Sequence, residues 1–274
     1  MKKKSSLQTL LNAPYAVWAA IFVVVPLFIV CYYSFTDKNG AFTFSNILEL
    51  GNYWDIFLGS IWYSVVATAI TLLLAYPFAY FLSKRSERSQ RVQMMLVMLP
   101  MWMNLLIRTY SWMNILEANG VINNLLKAMN LSPVKMVGTP GAVILGMVYN
   151  YLPYMILPIY TIMTKMDGTL LEAARDLGCN GFQLWRRLVL PLSLPGVISG
   201  IVMVFVPSVS TFYISQQLGD GKIPMIGDVI ERQMQQQYNY NLGAALSLVL
   251  MILILVSMMI MNKYSDGEEG GLVA

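Results

Sequence analysis

The sequence predicts an all-α membrane protein with six transmembrane helices. Three observations predict it. Of 274 residues, 57% are hydrophobic and 12% charged, whereas soluble domains carry about 25% charged residues. Six apolar stretches, near 13–35, 61–83, 93–112, 141–163, 195–216 and 242–262, reach the length of about 20 residues that a helix needs to cross a bilayer. Lysine and arginine alternate between the connecting segments, twelve on one side and five on the other. The excess predicts that both termini are cytoplasmic.

The first stretch follows Lys2, Lys3 and Lys4 and runs from Ala13 to Phe35. It is longer than the apolar core of a secretory signal, and it ends in Tyr32, Tyr33 and Phe35 rather than small residues. An aromatic belt is the better reading, so it is expected as a retained span. The second stretch ends at the basic run Lys84, Arg85, Arg88 and Arg91. The third is interrupted by Pro100, Asn104 and Arg108. In a membrane such breaks face protein or a water-filled path, because lipid cannot satisfy freed backbone groups. Arg108 is placed near the outer end, where its head could snorkel to the interface, pair with Glu117, or steer a charged solute.

The outer segments are not simple polar tails. Residues 36–60 carry Phe42, Phe44, Tyr53, Trp54 and Phe57. Val121, Ile122, Leu125, Leu126 and Met129 have helical, one-sided spacing, which predicts a short helix on the outer surface, facing either lipid or a docking protein. The chain closes on a short acidic segment, Asp266 to Gly271. No fixed-period repeat divides it, and one membrane domain over 1–274 is expected.

Several function classes lack their residues. There is no histidine, which removes the commonest general base and metal ligand. Cys31 and Cys179 stand alone, without a CxxC, so no metal centre is expected. A phosphate loop needs GxxxxGK followed by Ser or Thr, and Gly221-Lys222 is followed by Ile223. A carrier coupled to an ion gradient would need a titrating acid in mid-membrane, and no apolar stretch holds one. The basic excess sits in short loops, which argues for topology rather than nucleic acid.

The informative segment lies between the fourth and fifth stretches. It reads Leu171-Glu172-Ala173-Ala174-Arg175-Asp176-Leu177-Gly178 and, further on, Leu188-Val189-Leu190-Pro191. Ala173, Ala174, Leu177, Leu184, Trp185 and Leu188 give helices with an apolar side, divided at Gly178 and Asn180-Gly181. Joining two spans requires only about two to eight residues; the segment 164–190 is longer and organised.

This segment resembles the EAA loop of binding-protein-dependent ABC importers: Glu-Ala-Ala, three residues, Gly, nine residues, then Ile-x-Leu-Pro, with Leu188 here in place of the first Ile. The resemblance implies a type I importer permease fold with a cytoplasmic coupling helix. Glu172, Ala173, Ala174, Asp176, Gly178, Leu188, Leu190 and Pro191 would then couple to an ATPase. Further likeness runs through Pro100 to Asn104, Leu106 to Tyr110, Val148 to Pro153, Phe212 to Gly219, Ile226 to Ile230 and Gly243 to Ala245. It is similar to the first permease subunit of spermidine/putrescine transporters, over roughly 13–262. The stretch Gln233 to Asn241 departs from that pattern, so another small solute is the alternative cargo.

The resemblance implies partners: two ATPase subunits holding ATP and magnesium, a second homologous permease subunit, and an extracytoplasmic substrate-binding protein. It implies no cofactor on this chain. A polycation needs carboxylates and aromatic faces along its path. The candidate carboxylates, on or near the outer mouth, are Glu117, Asp220, Asp228 and Glu231, and the candidate aromatics facing the centre are Tyr149, Tyr154, Phe205, Phe212 and Tyr213.

Overall fold

The computed structural model describes Pro14, Tyr15 and residues 17–269, and only the backbone of 262–269. Lys2, Lys3, Lys4, Gly270 and Gly271 lie outside the described residues. The elements are α1 (Val17–Ser34), α2 (Ser45–Glu49), α3 (Trp54–Ser83), α4 (Glu87–Trp102), α5 (Leu105–Leu116), α6 (Val121–Ala128) and α7 (Pro140–Thr164). They continue with α8 (Gly168–Asp176), α9 (Gly181–Leu184), α10 (Leu190–Ser210), α11 (Tyr213–Gly219), α12 (Ile226–Glu231) and α13 (Tyr240–Glu269). One isolated bridge, Thr36 to Phe42, is the nearest thing to a strand among the described residues. The fold is all-α, with five helices among the described residues long and apolar enough to span and a sixth if the bent pair containing α4 and α5 counts as one.

The chain divides into two compact units. The first comprises Met1–Asp55 and Val229–Leu253. In it α1 is apolar and largely exposed, as a lipid-facing helix should be. Its exit is fixed by amides: Asn241 Nδ2 donates to the Thr36 carbonyl at 2.7 Å, and Asn46 Nδ2 donates to the same carbonyl at 2.9 Å and to that of Ser34 at 3.2 Å. The last carbonyls of a helix have no partner within it, and these two asparagines supply one.

The second unit comprises Ile56–Asp228 and Ile254–Ala274. Most of α3 lies in it; the helix begins at Trp54, about two turns before the span expected at 61–83. Asp55 sits in its first turn, where the helix dipole favours a carboxylate. Asp55, Gly59 and Ser60 dilute the hydropathy without stopping the helix. Buried Ser60, Ser64, Thr68 and Thr71 each donate to the carbonyl four residues back, at 2.6–2.7 Å. Polar groups inside the bundle are thereby satisfied locally.

The stretch expected as one span at 93–112 is a bent pair. The helix axis turns by 92° between Glu87–Trp102 and Leu105–Ala128. Met103 is extended, and Asn104 caps the new helix by accepting the Leu106 N–H at 2.8 Å. A side-chain acceptor that starts a helix also ends the one before it.

The core of this unit is the packing of α7 on α10. Gly196 and Gly200 face α7, and a Cβ on Gly196 would stand 2.9 Å from the Pro158 carbonyl oxygen, one on Gly200 2.7 Å from Met155 Sδ. This small-xxx-small spacing lets two helices approach where lipid offers no hydrophobic drive to pair. The fifth span differs from the expected 195–216: helical residues run from Gly181 to Ser210 and stop. Pro191 stands inside this run, two residues past the π turn Trp185–Val189, so its missing N–H falls beside a place where the α-helical ladder is already interrupted. At the other end Thr211 is extended, and the Pro207 carbonyl accepts the Tyr151 hydroxyl at 3.3 Å. The helix restarts as α11.

Candidate functional site

The segment after α7 forms a helix–turn–helix. Asp167 starts α8 by accepting the Thr169 N–H at 2.9 Å. That donor holds its carboxyl below the usual carboxylate range. Gly178 ends α8 with φ of +84°. The Cys179 N–H donates to Ala174 O at 3.1 Å and the Gly178 N–H to Arg175 O at 2.8 Å. This is a Schellman closure, and its left-handed residue is glycine because any Cβ would be strained there. Two residues later Asn180 and Gln183 form a reciprocal capping box, at 2.8 and 3.1 Å, which opens α9.

The corner between the two helices presents apolar groups outward. Leu177 is 86% exposed and Phe182 66%. Glu172, Ala173 and Asp176 are exposed on α8 beside them, and Ala174 is partly covered. An added side chain at Gly178 or Gly181 would meet nothing within 4 Å. Exposed leucine and phenylalanine on a rigidly capped corner form a surface suited to an apolar groove in another protein.

The rear of the corner is anchored. Leu184 and Val189 are buried, at 2% exposure each. Phe182 stacks on Trp185, with centroids 6.1 Å apart. Trp185 meets Tyr76 of α3 edge-on at 6.0 Å. The Tyr76 hydroxyl lies 2.9 Å from Ser193 Oγ on α10. Leu188 and Leu190 are partly buried along the π turn Trp185–Val189 and the start of α10, and Pro191 is exposed. An unbroken run of contacts thus connects the exposed corner to two spans.

The proposed path residues scatter. Glu117 is exposed at the end of α5. Tyr149 packs against Trp112 at 5.3 Å, and Tyr154 is 40% exposed beside Tyr151. Phe205 lines an apolar groove with Ile198 and Ile260. Phe212 is exposed and Tyr213 partly so, at the break between α10 and α11. Asp228 is 1% exposed and accepts from Gln216 Nε2 at 2.8 Å, so it is an interior carboxylate rather than a loop charge at the outer mouth. Glu231 is partly buried. Asp220 is exposed and paired with Lys222 at 2.6 Å.

Arg108 is the group the sequence places least well. Its side chain is 8% exposed, and Nε and Nη1 are buried without a hydrogen-bond acceptor. It neither snorkels outward nor pairs with Glu117. Cys31 and Cys179 are both free thiols.

Comparison with known proteins adds relatives. The family of binding-protein-dependent transport system inner membrane components matches residues 72–267. The spermidine/putrescine transport system permease protein PotB of Haemophilus influenzae is 38% identical over 226 residues, 79% of each chain. PotB of Escherichia coli K12 is 36% identical over 226 residues, covering 79% of this chain and 82% of that one. A chain of a bacterial ABC transporter that imports the acidic polysaccharide alginate superposes with a TM-score of 0.77 over 95% of both chains, at 18% identity. The fold is therefore shared with that importer. Its complex with an alginate pentasaccharide-bound periplasmic protein gives the same TM-score over 94% of this chain and 93% of that one.

Proposed function

Because this chain belongs to the family of binding-protein-dependent transport system inner membrane components, we propose that it is the permease subunit of an ATP-driven importer whose cargo is a polyamine of the spermidine and putrescine class. The observation that carries the mechanism is the capped corner at Gly178, with Leu177 and Phe182 outside and Trp185 behind. The likeness to PotB over most of the chain supports the cargo.

In this reading a partner ATPase seats the corner in a groove, and ATP and magnesium stay on that partner. Two ATPases, a second permease chain and an extracytoplasmic binding protein complete the complex in the inner membrane. Both termini of this chain face the cytoplasm, as the lysine and arginine distribution supports. Movement of the corner passes through Phe182 and Trp185 to Tyr76 and Ser193, and so to α3 and α10 together. A capped, stacked corner transmits displacement because it has few soft dihedrals to absorb it. The chain contributes a path and selectivity at most; tight recognition belongs to the binding protein.

The test is reconstitution of the four components: this chain, the second permease chain, the ATPase and the binding protein. ATPase activity is measured with and without spermidine-loaded binding protein. Stimulation is expected, and Gly181→Trp should abolish it, because a side chain there meets only the incoming partner. Stimulation by another solute but not by polyamines would overturn the cargo. Failure of any ATPase to co-purify would overturn the permease reading.

A further inference from the structure

Two cavities in the second unit share the residues Glu87 and Gln90 at the start of α4. The first, about 280 Å³, has a mixed lining, and Lys84 lies on its wall next to the ring of Tyr80. The second, about 520 Å³, continues past Arg91 along Met94, Met98 and Trp102. Together they make one groove with a charged end and an apolar length.

The charged end is held in place by hydrogen bonds. Gln90 is fixed: its Nε2 donates to Ser83 O at 3.0 Å and Arg85 O at 2.7 Å, and its Oε1 accepts from Tyr160 at 2.9 Å. Glu87 and Arg91 lie one turn apart on the same face, a spacing at which opposite charges commonly pair. Among the described residues neither forms an ion pair with the other or with anything else. A carboxylate and a guanidinium therefore stand side by side, both available. The apolar length has a definite size. From Arg91 to Trp102 is a rise of about 16 Å at about 1.5 Å per residue, about half of the roughly 30 Å hydrocarbon core. That is the depth of one leaflet. Met95, 51% exposed, and Trp102, 75% exposed, leave the groove open along its side.

We propose that this groove is a binding site for one phospholipid of the leaflet facing the basic loops, with a headgroup that carries both a phosphate and a primary ammonium, as in phosphatidylethanolamine. Arg91 and Lys84 take the phosphate. Glu87 takes the ammonium, and an acyl chain lies along Met94 and Met98 to Trp102. Charges of both signs at the polar end select this headgroup over a purely anionic one, which would meet Glu87 unfavourably. Thioether side chains suit an acyl chain because they adapt to a flexible occupant. The groove also borders Leu171 of α8 and Val189 ahead of α10, so a lipid seated there braces the base of the coupling corner.

The experiment uses the assembled complex in nanodiscs of equal parts phosphatidylethanolamine, phosphatidylcholine and phosphatidylglycerol. Retained lipid is read by native mass spectrometry. Phosphatidylethanolamine should be enriched. Arg91→Gln should lower its retention about tenfold, the loss of one charge-assisted contact. Glu87→Gln should erase the preference over phosphatidylcholine, whose methylated nitrogen has no N–H to donate, while keeping a bound phospholipid. Arg88→Gln, the same charge change outside the groove, should alter nothing. A photoactivatable phosphatidylethanolamine should label Met94 to Trp102 in the unaltered protein, a readout independent of how the variants fold. Equal retention of the three lipids, preference for phosphatidylglycerol, an equal effect of Arg88→Gln, or labelling only when the second permease chain is missing would each overturn the proposal.

Discussion

The indole of Trp185 meets the ring of Tyr76 edge-on, with centroids 6.0 Å apart and planes at 87°. This contact ties the capped corner to α3. An edge-to-face pair is worth about 0.5–1.5 kcal/mol beyond its burial. A double-mutant cycle with Trp185→Leu and Tyr76→Leu, read as thermal unfolding of the purified chain, should give a coupling of about 1 kcal/mol. In the complex, Trp185→Leu should leave ATPase stimulation in place while reducing transport per ATP hydrolysed. An unchanged transport ratio would show that movement reaches the spans by another route.

Gly178 holds a positive φ with open space around its missing side chain. The cost of replacing it is therefore conformational rather than steric. Gly178→Ala should weaken the end of α8 by about 1 kcal/mol, and Gly178→Asn by less. Faster hydrogen exchange at the Cys179 amide is the readout. Equal exchange in all three proteins would mean that the Schellman bonds do not hold the corner.

Asp167 carries a pH dependence with a defined sign. Its folded pKa lies below the ordinary value because the Thr169 N–H donates to the carboxylate. A lowered folded pKa contributes stability that is present above the unfolded value, about 3.9, and fades as pH falls through the lower folded value. Protection of the Thr169 amide should therefore drop below about pH 4. Asp167→Asn keeps a capping oxygen and should flatten that profile. A profile that persists in Asp167→Asn would assign it to another group.

Arg108 combines deep burial with two nitrogens that lack acceptors. A buried charge without full pairing is a poor source of stability, and apolar replacement of similar length is often neutral or favourable. Arg108→Met should raise or preserve the thermal midpoint of the isolated chain, whereas Arg108→Ala should lower it by leaving a cavity. A marked fall for Arg108→Met confined to the assembled complex would locate an acceptor on a neighbouring subunit.

The sequence announces the spans because lipid demands long apolar runs, and the corner because its glycine and capping residues act locally. Asn104 marks the break in the third span, yet nothing local encodes a turn of 92°. The early start of α3 is masked by Asp55 and Gly59, since hydropathy averages side chains while a helix depends on the backbone. Burial of Arg108 and Asp228 is decided by neighbours distant in sequence, and both residues read as boundary charges when only adjacent residues are counted. The small-xxx-small pair Gly196 and Gly200 was legible from spacing alone, and would have identified α10 as the tightly packed span.

The amide of Asn241 completes the exit of the first helix from 205 residues further along the chain. During synthesis, α1 enters the membrane long before that amide exists. Until then Asn46, ten residues past Thr36, is the amide that serves the carbonyls of Thr36 and Ser34. A chain that stops short of α13 would hold that exit by Asn46 alone. The start of α13 thus adds a second, long-range amide to a turn that its own neighbour holds first.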